Sequence, residues 1–168
     1  MAKFCVAGIF RNEVDYLVEW VAWHRLAGFG HVILADNGSD DGTRSLLEAL
    51  ADLGEVSLLY QPVLERRSQQ LAYRRILGLA LGKHDYVMFL DADEFLVHES
   101  QRHGEECREL ERLVASGDVG SVSVNWKCFG SSGLEEAGSE PVLQRFTRCG
   151  TAPGASADCH TKSLVRVG

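Results

Sequence analysis

Four short apolar runs recur along the chain, at residues 4–9, 32–35, 56–60 and 86–90, and segments of helical periodicity separate them. Residues 16–26 place Leu17, Trp20, Val21 and His24 on one face with Glu19 outside. The next helix carries Leu46, Leu47 and Leu50, and a third, over 68–81, carries Leu71, Ile76, Leu77 and Leu79. Strand and helix alternating three times before a fourth strand predict an α/β fold, a mostly parallel central sheet flanked by helices on both faces. Local signals agree. Gly8 leaves room in the first strand for close approach by another group. Asp15 is placed to cap the first helix and Thr43 or Asp41 the second, while Gly28, Gly54 and Gly82 stop the three helices.

The fourth run carries the chemistry. Tyr86-Val87-Met88-Phe89-Leu90 leads straight into Asp91-Ala92-Asp93-Glu94. In an open α/β sheet the carboxyl ends of strands border the ligand crevice. An extended backbone would point Asp91 and Asp93 to the same side. Paired carboxylates repel, and a divalent cation such as Mg²⁺ or Mn²⁺ would reconcile them. Acidic groups after a strand also cap helices, so the pair gains weight only from its surroundings.

Several classes are excluded. The net charge of −7 argues against general affinity for nucleic acid or anionic membranes, though not against a nucleotide whose phosphates a metal carries. The first strand-helix turn lacks the spaced glycines of a dinucleotide site, and no GxxxxGK[ST] is present. A phosphotransferase nucleophile pair would follow the first strand, whereas this pair is late. The five cysteines form no CxxC pair and read as reduced thiols, which suggests a cytoplasmic setting. The opening is too short and too quickly polar for a signal peptide, and no apolar run approaches a membrane span.

After Leu96 the texture changes. Residues 99–106 are charged, 107–114 have helical spacing through Leu110 and Leu113, and 119–126 alternate Val122, Val124 and Trp126 against Ser121, Ser123 and Asn125. That alternation predicts a half-buried strand. A loop over 129–133, a strand over 142–147, a loop over 150–158 and a last strand over 162–167 complete an α+β half grafted onto the sheet.

Taken together, these segments resemble the nucleotide-sugar glycosyltransferases of GT-A type, in the family-2-like and family-92-like branch. The resemblance rests on Arg11-Asn12-Glu13 with Tyr16-Leu17-x-Glu19-Trp20, on His24-Arg25-x-x-Gly28, and on Asp36-Asn37-Gly38-Ser39-x-Asp41-Gly42-Thr43. It continues in Gln70-x-Ala72-Tyr73, in Phe89-Leu90-Asp91-x-Asp93-Glu94-Phe95-Leu96, in Asn125-Trp126-x-x-Phe129-Gly130-Ser131-Ser132-Gly133, in Arg145-Phe146 and in Lys162-Ser163-Leu164-Val165-Arg166. It implies a single GT-A domain over 1–168, with a nucleotide-binding half at 1–96 and an acceptor-side half at 97–168.

The resemblance further implies metal-dependent, inverting transfer of a sugar from a nucleotide-sugar donor, by default a UDP-sugar, to a hydroxyl of a glycan, lipid-linked or small acceptor. The enzyme would act in the cytoplasm or peripherally at the membrane. Phe10, Arg11, Asn12, Glu13, Asp36 and Gln70 would lie by the nucleotide, with Asp91 near the ribose and the metal and Asp93 binding Mn²⁺ or Mg²⁺ directly. Arg66 is either a phosphate helper or a solvated surface arginine. An inverting transfer needs a base, for which Glu94, Asp158 and Glu135 stand as alternatives. Trp126 with Gly130, Ser131 and Ser132 would line the acceptor side, unless Trp126 is core. The family places a further histidine ligand after the last strand. His160 lies before it and the sequence stops at Gly168, so the expectation is a chain cut short of that ligand, and a catalytically silent module that binds nucleotide, glycan or a partner stays open.

Overall fold

In the computed structural model, which describes residues 2–61, 68–100, 102–136, 138–150 and 160–168, six strands form one sheet in the order β3-β2-β1-β4-β6-β5. β1 (Phe4–Phe10), β2 (His31–Asp36), β3 (Ser57–Tyr60) and β4 (Tyr86–Phe89) run parallel. β6 (Thr161–Arg166) returns antiparallel beside β4, and β5 (Ser121–Asn125) pairs antiparallel with β6 at the edge. The helices are α1 (Val14–Leu26), α2 (Thr43–Asp52), α3 (Ser68–Ala80), α4 (Glu105–Val114) and α5 (Val142–Arg145). The predicted α/β fold with a mostly parallel sheet is therefore what this sequence adopts. Among the described residues no helix is long and apolar enough to cross a membrane.

The period of two along β1 sorts the core into two layers. Phe4, Val6 and Phe10 face the side covered by α1, α2 and α4, where they pack with Leu17, Trp20, Leu47 and Leu110. Cys5 and Ala7 face α3, with Ile33, Ala35 and Val87 from neighbouring strands and Ala72, Ile76 and Ala80 from the helix. Small side chains under α3 and large ones under α1 put the aromatic mass, Phe10 and Trp20 in edge-to-face contact at 5.3 Å, beneath the first helix. At the amino ends of the strands, His31 Nδ1 lies 2.7 Å from His84 Nε2, and its Nε2 lies 2.8 Å from Ser57 Oγ. A proton shared between two ring nitrogens requires at least one neutral imidazole, and burial lowers the pKa of both.

Three sequence expectations are corrected. Residues 142–147 form no strand: Pro141 opens the short helix α5, and Glu19 accepts from Val142 N at 2.6 Å and from Leu143 N at 3.1 Å. A carboxylate on the first two helical amides satisfies donors that a strand would leave to a neighbour. Glu19 is accordingly half-buried rather than outside. Asp15 does not cap α1 either; a side chain from the loop before α2 does, as described below.

Gly8 is used as expected. A Cβ there would lie 2.9 Å from Leu90 O and 3.0 Å from Phe10 Cε2. Leu90 is tied to the same strand, its N–H donating to Ala7 O at 3.0 Å. Gly8→Ala must therefore push backbone away from backbone just before the carboxylates. It is expected to lower stability by about 1–3 kcal/mol, as overpacking does, measured by urea unfolding.

Candidate active site

Three strand ends define the crevice. Beyond β1 the chain bends at Asn12, whose φ of 58° is one of two positive values outside glycine among the described residues. Asn12 N donates to Ser39 Oγ at 3.1 Å, and Asn12 Oδ1 accepts from Asp40 N at 3.0 Å. Glu13 N donates to Thr43 Oγ1 at 2.8 Å. Asp41 accepts from Thr43 N at 2.9 Å through one oxygen and from Val14 N at 3.2 Å through the other. One carboxylate thus caps α1 and α2 together, each the start of a positive helix end.

At the end of β2, Asp36 is fully buried. Its Oδ1 accepts from Ser39 N at 3.1 Å, and its Oδ2 takes Arg44 Nε at 2.8 Å and Nη2 at 2.7 Å. Burial alone would raise this carboxyl, but the hydrogen bonds from Ser39 and Arg44 outweigh it and hold the pKa below the ordinary value. Its neighbour Asn37, quoted in the second sequence signature but not expected to contact ligand, has the opposite condition: its Oδ1 is buried with no hydrogen-bond partner among the described residues.

The third end is the carboxylate turn. β4 stops at Phe89, and Glu94 N donates to Asp91 O at 3.1 Å. The backbone does not stay extended, so Asp91 and Asp93 do not share a face by strand alternation. Asp91 N donates to Glu94 Oε2 at 2.8 Å, and Lys162 Nζ of β6 lies 2.6 Å from Asp91 Oδ2 and 3.0 Å from Glu94 Oε2. Burial raises the Glu94 pKa, partly offset by those two donors. Asp93 is exposed and makes no hydrogen bond or ion pair with another described residue. Its charge is nonetheless felt: burial, then Asp93, then Asp41 raise the Glu13 pKa. The charges of Asp93 and Asp41, on two other loops, are thus near enough to be felt at Glu13.

Helix α1 holds this turn. Trp20 Nε1 donates to Asp91 O at 3.0 Å and Trp23 Nε1 to Leu96 O at 2.7 Å. Leu96 N donates to His24 Nε2 at 3.3 Å, which makes that nitrogen the acceptor, so the proton sits on Nδ1 and is donated to Trp20 O at 2.8 Å. The tautomer follows from the network.

The remaining expected residues are dispersed. Trp126 joins the turn through Lys162, whose ammonium lies 5.5 Å from the indole centroid, and its Nε1 is buried with no described partner. Gly130 and Ser131 are exposed, and Ser132 Oγ accepts from Thr147 N at 2.9 Å and Arg148 N at 3.1 Å, which shapes its own loop. Phe10 is core by its side chain; Arg11, Gln70 and Glu135 are exposed. Arg66 and Asp158 lie outside the described residues. Lys162 was quoted for its strand and missed as a site residue; only its contact across the sheet reveals it. Among the described residues no group of three or more His, Cys, Asp or Glu is gathered as a metal cluster. A cavity of about 530 Å³ opens beside the start of α1, lined by Tyr16, Glu19, Glu140 and Arg145 among others.

Comparison with known proteins agrees with the fold. The family model described as glycosyltransferase family 92 matches residues 2–146. A glycosyltransferase family 92 protein of Arabidopsis thaliana is 29% identical over 172 residues, covering 98% of this chain and 28% of that protein. A Ricinus communis family 92 protein is 26% identical over 146 residues, covering 86% and 26%. The chain thus spans about a quarter of the length of the curated relatives it matches. Among solved structures, S. aureus TarS 1-349 in complex with UDP-GlcNAc superposes with a TM-score of 0.51 at 17% identity, covering 71% of this chain and 33% of that one, a likeness of fold.

Burial of His24 has a pH consequence. Desolvation lowers its pKa from 6.5 to about 4, against the opposing hydrogen bond to Trp20. The unfolded chain takes up a proton below pH 6.5 that the folded chain refuses. Its contribution is therefore complete above pH 6.5 and falls as pH drops towards 4, by up to about 3 kcal/mol. His31 and His84 act in the same direction, so the difference between wild type and His24→Gln isolates this part: the variant's stability, read by urea unfolding, should decline less steeply between pH 6.5 and 4.

Proposed function

The chain belongs to glycosyltransferase family 92, and from that premise we propose that it transfers a sugar from a nucleotide-diphospho-sugar, UDP-sugars first, to a hydroxyl of a glycan or related acceptor. Transfer would depend on a divalent cation and invert the anomeric centre. The observation that carries the reading is Asp93 at the carboxylate turn, exposed and unpaired among the described residues, with its charge felt at Glu13.

The donor set fits Mg²⁺ or Mn²⁺. Asp93 offers a hard oxygen ligand, Asp91 has Oδ1 free of the Lys162 contact, and Glu13 and Asp41 add negative charge without adding soft ligands. Asp93 and Asp91 would hold the ion, which supplies Lewis-acid neutralisation of the leaving diphosphate. At the β2 end, Asp36 has both oxygens engaged by Ser39 and Arg44. Asn37 takes that place: a buried acceptor without a partner suits the imide N–H of a uracil. The crystal structures of S. aureus TarS 1-349 with UDP and with UDP-GlcNAc support a uridine donor in this fold.

Glu94 is the carboxylate we assign to accept the acceptor's proton, and three features support it. Burial holds its pKa above the ordinary range, its backbone is fixed by the turn, and Lys162 steadies the charge. Trp126 offers an aromatic wall beside it on the acceptor-side half.

A thermal-shift panel of UDP-, GDP- and dTDP-sugars, each with and without Mn²⁺, tests the reading. One nucleotide class, UDP, should stabilise the protein only with the metal present, by about 3 kcal/mol at a hundredfold excess over Kd. Asp93→Asn should abolish the metal-dependent part. A shift that survives in Asp93→Asn removes Asp93 from the site, and the absence of any nucleotide shift defeats the donor assignment.

A further inference from the structure

One ammonium group spans both inner carboxylates of the turn. Lys162 Nζ is 2.6 Å from Asp91 Oδ2 and 3.0 Å from Glu94 Oε2, and its side chain is only 18% exposed. The sheet puts it there. β6 pairs antiparallel with β4 through Met88 and Leu164, and Lys162, two residues before Leu164, is level with the point where the chain leaves β4 and turns. Its ammonium also lies over the Trp126 indole, 5.5 Å from the ring centroid. Without a cation of some kind, Asp91 and Glu94 would repel within a turn that a hydrogen bond from Glu94 N to Asp91 O closes.

The geometry points to Lys162 as a positioning residue that competes with the divalent cation for the carboxylate turn. The inference rests on the metal-dependent reading above. A divalent ion on either oxygen of Asp91 would stand within a few ångström of the ammonium, and two like charges that close repel even where Asp91 itself is partly exposed to solvent. The ion and the lysine therefore do not share Asp91. In the absence of metal the lysine keeps Asp91 and Glu94 in place; when metal binds, the ammonium withdraws from Asp91. The indole face beneath it gives the withdrawn charge a favourable resting place inside the crevice. Lys162 thus preserves the shape of the turn between turnovers at the cost of metal affinity. In this role it acts through Asp91 and Glu94, on whose oxygens its ammonium rests.

The test is Mn²⁺ binding in the absence of nucleotide, followed by electron paramagnetic resonance, for wild type, Lys162→Met and Lys162→Arg. Methionine keeps an unbranched stem and removes the charge. Lys162→Met should bind Mn²⁺ about tenfold more tightly, the factor that a partly buried, charge-assisted pair of ordinary strength would withhold. Lys162→Arg, which keeps a cation, should not tighten binding. Equal or weaker Mn²⁺ affinity in Lys162→Met overturns the competition.

A second measurement needs no variant to fold. The chain has four lysines, Lys3, Lys83, Lys127 and Lys162. In wild-type protein carrying ¹³C-labelled lysine, the Lys162 ε-carbon signal should move on titration with Mg²⁺, while Lys3 and Lys83 stay. A Lys162 signal unmoved at Mg²⁺ saturation, judged from the backbone amides of the turn, also overturns it. The two readings fail separately: metal-dependent UDP-sugar stabilisation with unchanged Mn²⁺ affinity in Lys162→Met defeats the competition alone, whereas no Mn²⁺ binding to any of the three proteins defeats both.

Discussion

The site depends on a helix holding a loop that has no regular structure of its own. Residues 91–96 leave β4 and turn, and three side chains of α1, Trp20, Trp23 and His24, take up their backbone groups. Two of those side chains also have a core function. Trp20 packs on Phe10, and His24 stacks on Phe95 with the rings 15° apart. The same helix face therefore builds the hydrophobic layer and positions the carboxylates. A polar group buried on that face is tolerated only because it is paired, and a backbone group in an irregular segment needs a partner of this kind if it is to be buried at all.

Around that anchor the crevice gathers negative charge and then partly neutralises it from within. Asp36 is met by Arg44, Asp91 and Glu94 by Lys162, and Asp41 by two helix amino termini. Asp93 and Glu13 are left with the least compensation; the Glu13 pKa is raised first by burial and then by the nearby charges of Asp93 and Asp41. The distinction between carboxylates that hold the scaffold and carboxylates left to a ligand is therefore one of partners rather than of residue type.

Much of this was legible in the sequence. The alternation of strand and helix, the two-layer core and the crowding of motif residues at the strand ends follow from periodicity and turn signals, which are local. What was not legible is long-range. Alternation could not show that the backbone folds over after Phe89, because the hydrogen bond that closes the turn comes from Glu94. Residues 142–147 read as a strand from their apolar content, and only Glu19, more than a hundred positions away, reveals the helix. Asp36 has a motif position that suggests ligand contact, and no spacing shows that Arg44, the second residue of α2, bonds its Oδ2. Lys162 belongs to a strand whose pairing with β4 reverses the direction of the sheet, and no spacing in the sequence foretells that neighbour.

The shared capping at the head of α1 and α2 has a consequence for motion. The amides of Glu13, Val14 and Thr43 end on Thr43 and Asp41 side chains, so the first turn of one helix cannot fray without releasing groups belonging to the other. Solvent exchange at those three amides is thereby coupled into a single opening event, and the floor of the crevice breathes as one hinge-free plate instead of two independent flaps.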